Sequence, residues 1–246
     1  MKILLVADLH YTLKQYDWLC EVAGRFDVVV FAGDFLDIVS IVEMDVQILV
    51  VMKYLRRLAP ETQLLVSSGN HDLNAESEGG ERYARWMRRV RELGIPADGD
   101  SWEKDGILFT ICPWWDGEEK KAEVAAQLER DAAREKARWF WVYHAPPVDT
   151  KASWDGKRDF GDAALREWIG EYEPELVLGG HIHQAPFSKG GSWVDNVGET
   201  WVLNGGKQIG PMPAFTVIDT EARRAEWVSL AGRESIDFST GERGEG

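Results

Sequence analysis

Six short β-rich runs recur along the first three quarters of the chain, at about residues 2–8, 27–33, 63–69, 107–112, 138–144 and 176–181. Helix-type patterns near 14–24, 38–58, 79–93, 118–136 and 162–171 separate them. Apolar extended runs alternating with helical periods commit a chain to α/β layers, with helices packed outside sheets. At 246 residues there is enough chain for one sizeable core, and no repeat or long linker divides it. The last third, with "TWVLNGG", "AFTVIDT" and "AEWVSL", continues as strands joined by turns. One domain is expected over 1–236, with the polar, glycine-containing end 237–246 frayed.

The runs share a second property: five of the six close on a group of Asp, His, Asn or Gly. These ends are Asp8-Leu9-His10, Gly33-Asp34, Gly69-Asn70-His71-Asp72, His144 and Gly180-His181-Ile182-His183. Ligands bind at the carboxyl ends of strands in open α/β sheets, so these groups converge where a site forms. Residues i and i+2 of extended chain point the same way, so Asp8 and His10 can reach one ion together. His181 and His183 can do the same, or divide between two ions where the strand bends. Carboxylate and imidazole without thiolate select first-row ions such as Mn, Fe, Zn, Co or Ni over calcium. Seven such side chains exceed one tetrahedral centre and suit two.

Composition narrows the partners. A formal net charge of -14 argues against sequence-independent nucleic-acid binding, which needs a basic face. The most apolar long segment, 38–55, is broken by Glu43, Asp45 and Lys53, so a core helix or a dimer surface is expected rather than a membrane span. The start "MKILLVADLH" reads as a first strand and not as a leader. Cys20 and Cys112 are too few for a disulfide framework. These features predict a cytoplasmic protein with no membrane or nucleic-acid partner, and leave its oligomeric state open.

The ordered set "DLH", "GDFLD", "GNHD", a later "H" and "GHIH" resembles the calcineurin-like metallophosphoesterases, whose pattern is DxH, GDxxD, GNH(D/E), H and GHxH. The likeness spans residues 8–183 and gives each of the five histidines a place. It implies a four-layer α/β/β/α sandwich of two mixed β-sheets flanked by helices. It also implies that Asp8, His10 and His183 bind one metal, Asn70, His144 and His181 a second, and that Asp34 bridges both. His71 is then a catalytic group near the leaving group rather than a ligand, oriented by Asp72. Mn or Fe are the expected metals, as a divalent or mixed-valence pair, with Zn, Co or Ni as alternatives.

Physical chemistry agrees with such a site. Two divalent ions bring four positive charges and the two carboxylates remove two, so the centre stays cationic and draws a phosphate ester. Ions roughly 3.5–4 Å apart can hold a bridging water and lower its pKa toward about 7, giving a hydroxide that attacks phosphorus in line. A histidine can then assist the departing alkoxide. A binuclear hydrolase of small phosphate esters is expected. The small size and intact GNHD histidine resemble the stand-alone bacterial members of the family, which favours a phosphodiesterase, with a phosphomonoesterase of the same chemistry as the alternative. The rival from another class is a non-catalytic metal-binding module on the same fold.

Other residues carry two readings each. Asp37 completes "GDxxD", and a cap or turn role is expected for it. The five arginines of 81–93 form a solvated face opposite Trp86, Val90 and Leu93, or one of them reads phosphate. Trp114 and Trp115 fill the core or stack on a substrate ring. Lys207 is a turn lysine or a phosphate contact.

Overall fold

A computed structural model describes residues 1–245. The chain runs β1 (Lys2–Val6), α1 (Leu13–Val22), β2 (Val28–Ala32), α2 (Met44–Leu58) and β3 (Gln63–Ser67). A small hairpin follows, β4 (Ala75–Glu76) with β5 (Arg82–Tyr83), then α3 (Met87–Arg91). Next come β6 (Ser101–Lys104), β7 (Ile107–Ile111), α4 (Glu118–Ala132), β8 (Arg138–Val142), α5 (Ala163–Tyr172) and β9 (Leu176–Gly179). The remainder is β10 (Val194–Val197), β11 (Thr200–Asn204), β12 (Phe215–Asp219), β13 (Arg224–Ser229), β14 (Gly232–Asp237) and β15 (Arg243–Glu245).

Two mixed sheets result, ordered β15-β14-β13-β12-β1-β2-β3 and β10-β11-β9-β8-β7-β6. In the first, β1, β2 and β3 are parallel, Ile3 opposite Val28 and Val28 opposite Gln63, and β12 joins β1 antiparallel. In the second, β7, β8, β9 and β11 are parallel.

The near-continuous apolar runs are explained by burial of both faces. Ile3, Leu5, Val28, Val30 and Leu65 face inward and meet Phe109, Phe140, Val142, Leu176 and Leu178 between the sheets. The alternate residues Leu4, Val6, Val29, Phe31 and Leu64 face outward under α1 and α2, against Leu19, Val51 and Leu55. On the far side Leu108, Trp139, Trp141 and Val177 lie under α4 and α5, against Val124, Leu128 and Ile169. Helix, sheet, sheet and helix stack in that order, as the resemblance implies.

Three stretches differ from the sequence reading. The segment 38–43 is loop, not helix, because Gln47 draws it back on itself. Its amide donates to the carbonyls of Asp37 and Val42, and its Oε1 accepts the Asp37 N–H. Of the apolar stretch 38–55, Ile48, Val51, Met52 and Leu55 are core, whereas Ile38, Val39 and Ile41 are exposed. The helix expected at 79–93 contracts to α3, because Arg82 and Tyr83 pair with Glu76 and Ala75. The end expected to fray carries β15, paired with β14, and Phe238 is buried. Arg243 fixes it by donating to Ser192 Oγ and the Val194 carbonyl; Gly246 lies outside the described residues. Among the described residues no helix is long and apolar enough to cross a membrane.

Candidate metal centre

The ends of β1, β2, β3, β8 and β9 open onto one side, and backbone bonds lock their loops together. Asp8 N–H donates to Gly33 O, His10 N–H to Asp34 O, and Tyr11 N–H to Phe35 O. Asp8, His10, Asp34 and His181 all hold positive φ, at 55°, 42°, 56° and 70°. Side-chain-bearing residues rarely adopt that region, and such strain gathers where a site demands a fixed geometry. Glycine is required beside them. A Cβ on Gly33, at φ +88°, would stand 2.4 Å from His144 Nδ1, and one on Gly180 would stand 2.4 Å from Asp8 Oδ2.

Donor atoms of Asp8, His10, Asp34 and His183 all lie within 4.8 Å of one another. Nε2 of His10 and Nε2 of His183 are 2.9 Å apart, and His183 Nε2 is 3.2 Å from Asp8 Oδ1. Two imidazole lone pairs that close need a proton or a cation to bind. On the other side of Asp34 stands His144, whose Nε2 is 3.2 Å from Asp34 Oδ2. His10 Nε2 is 3.4 Å from that same oxygen. One carboxylate oxygen therefore faces both groups, while Asp34 Oδ1 accepts the His71 N–H at 2.9 Å.

Two features mark the donors on the far side of Asp34. His144 Nδ1 donates to Ala32 O at 2.7 Å, which leaves Nε2 facing the carboxylates. Among the described residues Oδ1 of Asn70 is buried without a hydrogen-bond partner, and buried Nε2 of His144 faces only the carboxylates. Buried polar atoms are seldom left so, and these two are donors a first-row ion accepts. His181 packs its ring 5.1 Å from that of His144. The donor set fits the metals the family likeness implies.

Charge follows the same plan. Burial works against ionised Asp8, but its bonds to His10 and His183 hold it well below the carboxylate range. Burial opposes charge on Asp34 as well, and His144 outweighs it. Burial disfavours protonated His144, yet Asp34 and Asp8 push it up to about 9. His181 goes the other way, to about 4, through burial and the His144 charge, and stays a neutral base. The centre thus attracts positive charge strongly and can hold it as protons or as metal.

His71 and Asp72 separate. The His71 ring is half-buried with its centroid 4.4 Å from that of His10, and its Nδ1 accepts the Ile38 N–H at 3.4 Å. Burial lowers its pKa. Asp72 does not orient this ring, because its carboxylate accepts the N–H groups of Asp34, Leu36 and Gly69. It braces the loops instead, and burial and Asp34 raise its pKa well above the ordinary value. Besides Asp34, the acid near this ring is Asp37, whose carboxylate lies within 4.8 Å of donor atoms of both His71 and His10. It also makes the local turn expected of it, accepting the Val39 N–H. Position in "GDFLD" was the only signal for the second role.

The tryptophan pair divides as well. Trp115 stacks on Tyr143 at 4.1 Å, whereas Trp114 lies against the centre itself, 5.2 Å from His181 and 5.7 Å from His144. Lys207 is half-buried beside it, with its N–H donating to His183 O. Its pKa is lowered by burial, against the pull of Asp8, Asp37 and Asp34.

A two-sheet α/β sandwich with imidazoles and carboxylates gathered at its strand ends defines a class of metal-dependent hydrolases. The chain belongs to the calcineurin-like phosphoesterase family, whose sequence profile matches residues 1–185. It is therefore a phosphoric ester hydrolase of the metallophosphoesterase type. The fold is similar to that of TT1561 of Thermus thermophilus, with TM-score 0.61 and 13% identity over 100% of this chain and 97% of that one. It is also similar to the purple acid phosphatase PPD1 from yellow lupin (Lupinus luteus) seeds, with TM-score 0.57 and 12% identity. There the match covers 100% of this chain and 52% of the lupin chain. No curated protein matches the sequence.

Proposed function

We propose that the protein hydrolyses small phosphodiesters at a two-metal centre, with Asp8, His10 and His183 holding one ion, Asn70, His144 and His181 the other, and Asp34 shared. The observation that carries this reading is Asp34 Oδ2, which faces His10 on one side and His144 on the other. Mn or Fe suits the oxygen and imidazole donors. When bound, the ions supply positive charge that neutralises the phosphate and activates water.

The chain's own residues do the rest. The Ile38 N–H occupies His71 Nδ1, so in the neutral ring the proton sits on Nε2. That N–H is the donor to the departing oxygen. Asp37 places a carboxylate within 4.8 Å of a donor atom of the ring, and its negative charge favours the protonated side of that ring's equilibrium. Asp72 and Gly33 keep the loops in register, so that the donors need no rearrangement as substrate arrives. Trp114 screens one side of the centre from water.

The test is metal analysis followed by assay. Protein purified and loaded with Mn or Fe should hold about two equivalents, because the proposed ligands are too many for one four-coordinate centre. It should cleave bis-p-nitrophenyl phosphate faster than p-nitrophenyl phosphate. His71→Ala should lose on the order of 10²–10⁴-fold in kcat while keeping its metal. Loaded protein that cleaves neither ester, indistinguishable from His71→Ala, would mark a non-catalytic module. A preference for the monoester would move the assignment to a phosphatase.

A further inference from the structure

A cavity of about 420 Å³ lies on the other side of Trp114, between α3 and α4. Arg85, Arg88, Arg91, Lys120 and Arg130 line it, a local excess of positive charge in a chain of net charge -14. Three of these have partners. Arg91 lies 3.4 Å from Asp100, Lys120 2.5 Å from Glu123, and Arg130 3.2 Å from Asp131. Arg85 and Arg88 have no carboxylate at ion-pair distance among the described residues, although acids outnumber bases 42 to 28. Of the acids lining the cavity, Glu123 is held by Lys120 and Asp98 accepts the Ser68 N–H at 2.7 Å. Tyr83 and Trp114 add aromatic walls.

Trp114 lines the cavity and packs against His144 and His181, so cavity and candidate metal centre share one indole as their partition. Guanidinium groups bind phosphate oxygens through paired N–H donors, and a cleft lined by one sign of charge concentrates the opposite ion. We propose that Arg85 and Arg88 bind a second phosphate of the substrate in this cavity while the ester to be cleaved lies at the metal centre. The proposal rests on the phosphoesterase reading above. It makes the substrate an ester that carries a second phosphate, and makes the arginine pair its selectivity determinant.

Two measurements test it. In chelator, so that metal plays no part, thymidine bisphosphate is titrated calorimetrically into wild type, the Arg85→Ala/Arg88→Ala variant and the corresponding double Lys variant. Two charge-assisted bonds predict a Kd at least about ten-fold higher in the Ala variant, restored only in part by Lys, which keeps the charge without the paired donors. Equal Kd values, or no binding to wild type, overturn the proposal. In the second, metal-loaded proteins cleave a thymidine p-nitrophenyl phosphodiester with or without a further phosphate on its sugar. The ratio of kcat/KM values, phosphorylated over plain, should fall about ten-fold or more in the Ala variant. An unchanged ratio also overturns it. If wild type cleaves neither diester the phosphoesterase reading falls, and the binding measurement alone then decides the cavity.

Discussion

Asp37 and Asp72 are both carboxylates near His71, and they act on different things. Asp72 holds three backbone N–H groups and therefore the shape of two loops. Asp37 stands beside the imidazoles of His71 and His10. Asp37→Asn keeps the shape and removes the charge, so kcat should fall roughly ten- to a hundred-fold, less than for loss of His71 itself. The loss should grow with the basicity of the leaving group, and metal content should hold. A uniform loss across leaving groups would assign Asp37 to structure alone. Gly33 gives a second test at this scale. A methyl there would strike His144, and the φ of +88° is strained for any side chain. Gly33→Ala should cost on the order of 1–3 kcal/mol in urea unfolding and reduce metal uptake. A variant with unaltered stability and two tightly held ions would refute the close approach.

At the level of elements, a buried acid sits at the end of β3. The open edge of that strand is covered by the segment after α3, where Val66 N–H donates to Pro96 O and Ser68 N–H to Asp98 Oδ1. Burial pushes Asp98 from 3.8 up to about 6, although its bonds to Ser68 favour the charged form. A raised carboxyl pKa means that folding holds a proton the unfolded chain releases. Its stability contribution is whole below about pH 4 and is lost as pH rises through 6, on the order of 3 kcal/mol in all. Asp98→Asn keeps an acceptor for Ser68 and removes the titration. Its stability relative to wild type should rise between about pH 4 and pH 7, read by urea unfolding at each. A constant difference would place the burial elsewhere. Much of this level was legible in the sequence. The strands under both sheets were, because burial of two faces leaves unbroken apolar runs, and so were the polar strand ends that follow them. The α3 segment was not, because the β4 and β5 pairing and the Trp86 indole bond to Asp72 O override its helical period. The hairpin ending in β15 was not either, since its anchors Ser192 and Val194 lie far away in sequence. Asp72 is the immediate sequence neighbour of His71 and Asp37 lies far before it, yet only the folded chain shows that Asp37 is the one whose carboxylate stands near the ring nitrogens.

For the molecule as a whole, the net charge of -14 and the buried acids of the centre act in the same direction. Folding gathers Asp8, Asp34 and Asp72 out of water, and without metal the compensating charge is protons, above all on His144. His144 is raised from 6.5 to about 9, so its contribution to stability is whole below pH 6.5 and disappears as pH climbs through 9. Metal-free protein should therefore lose stability across that window. Bound cations replace the protons, so the stabilisation they give should grow across the same window. At about 100 times Kd a ligand adds about 2.7 kcal/mol, which for a chain of this size is roughly 5–10 °C in Tm. Thermal unfolding with metal or chelator, at about pH 6.5 and pH 9, measures both effects. The metal-induced rise should be larger at the higher pH. It should shrink in His183→Ala and nearly vanish in Asp34→Ala, because Asp34 faces both sets of donors. A rise independent of pH would mean that His144 does not exchange its proton for a cation, and Tm values equal in metal and chelator would remove the metal centre altogether.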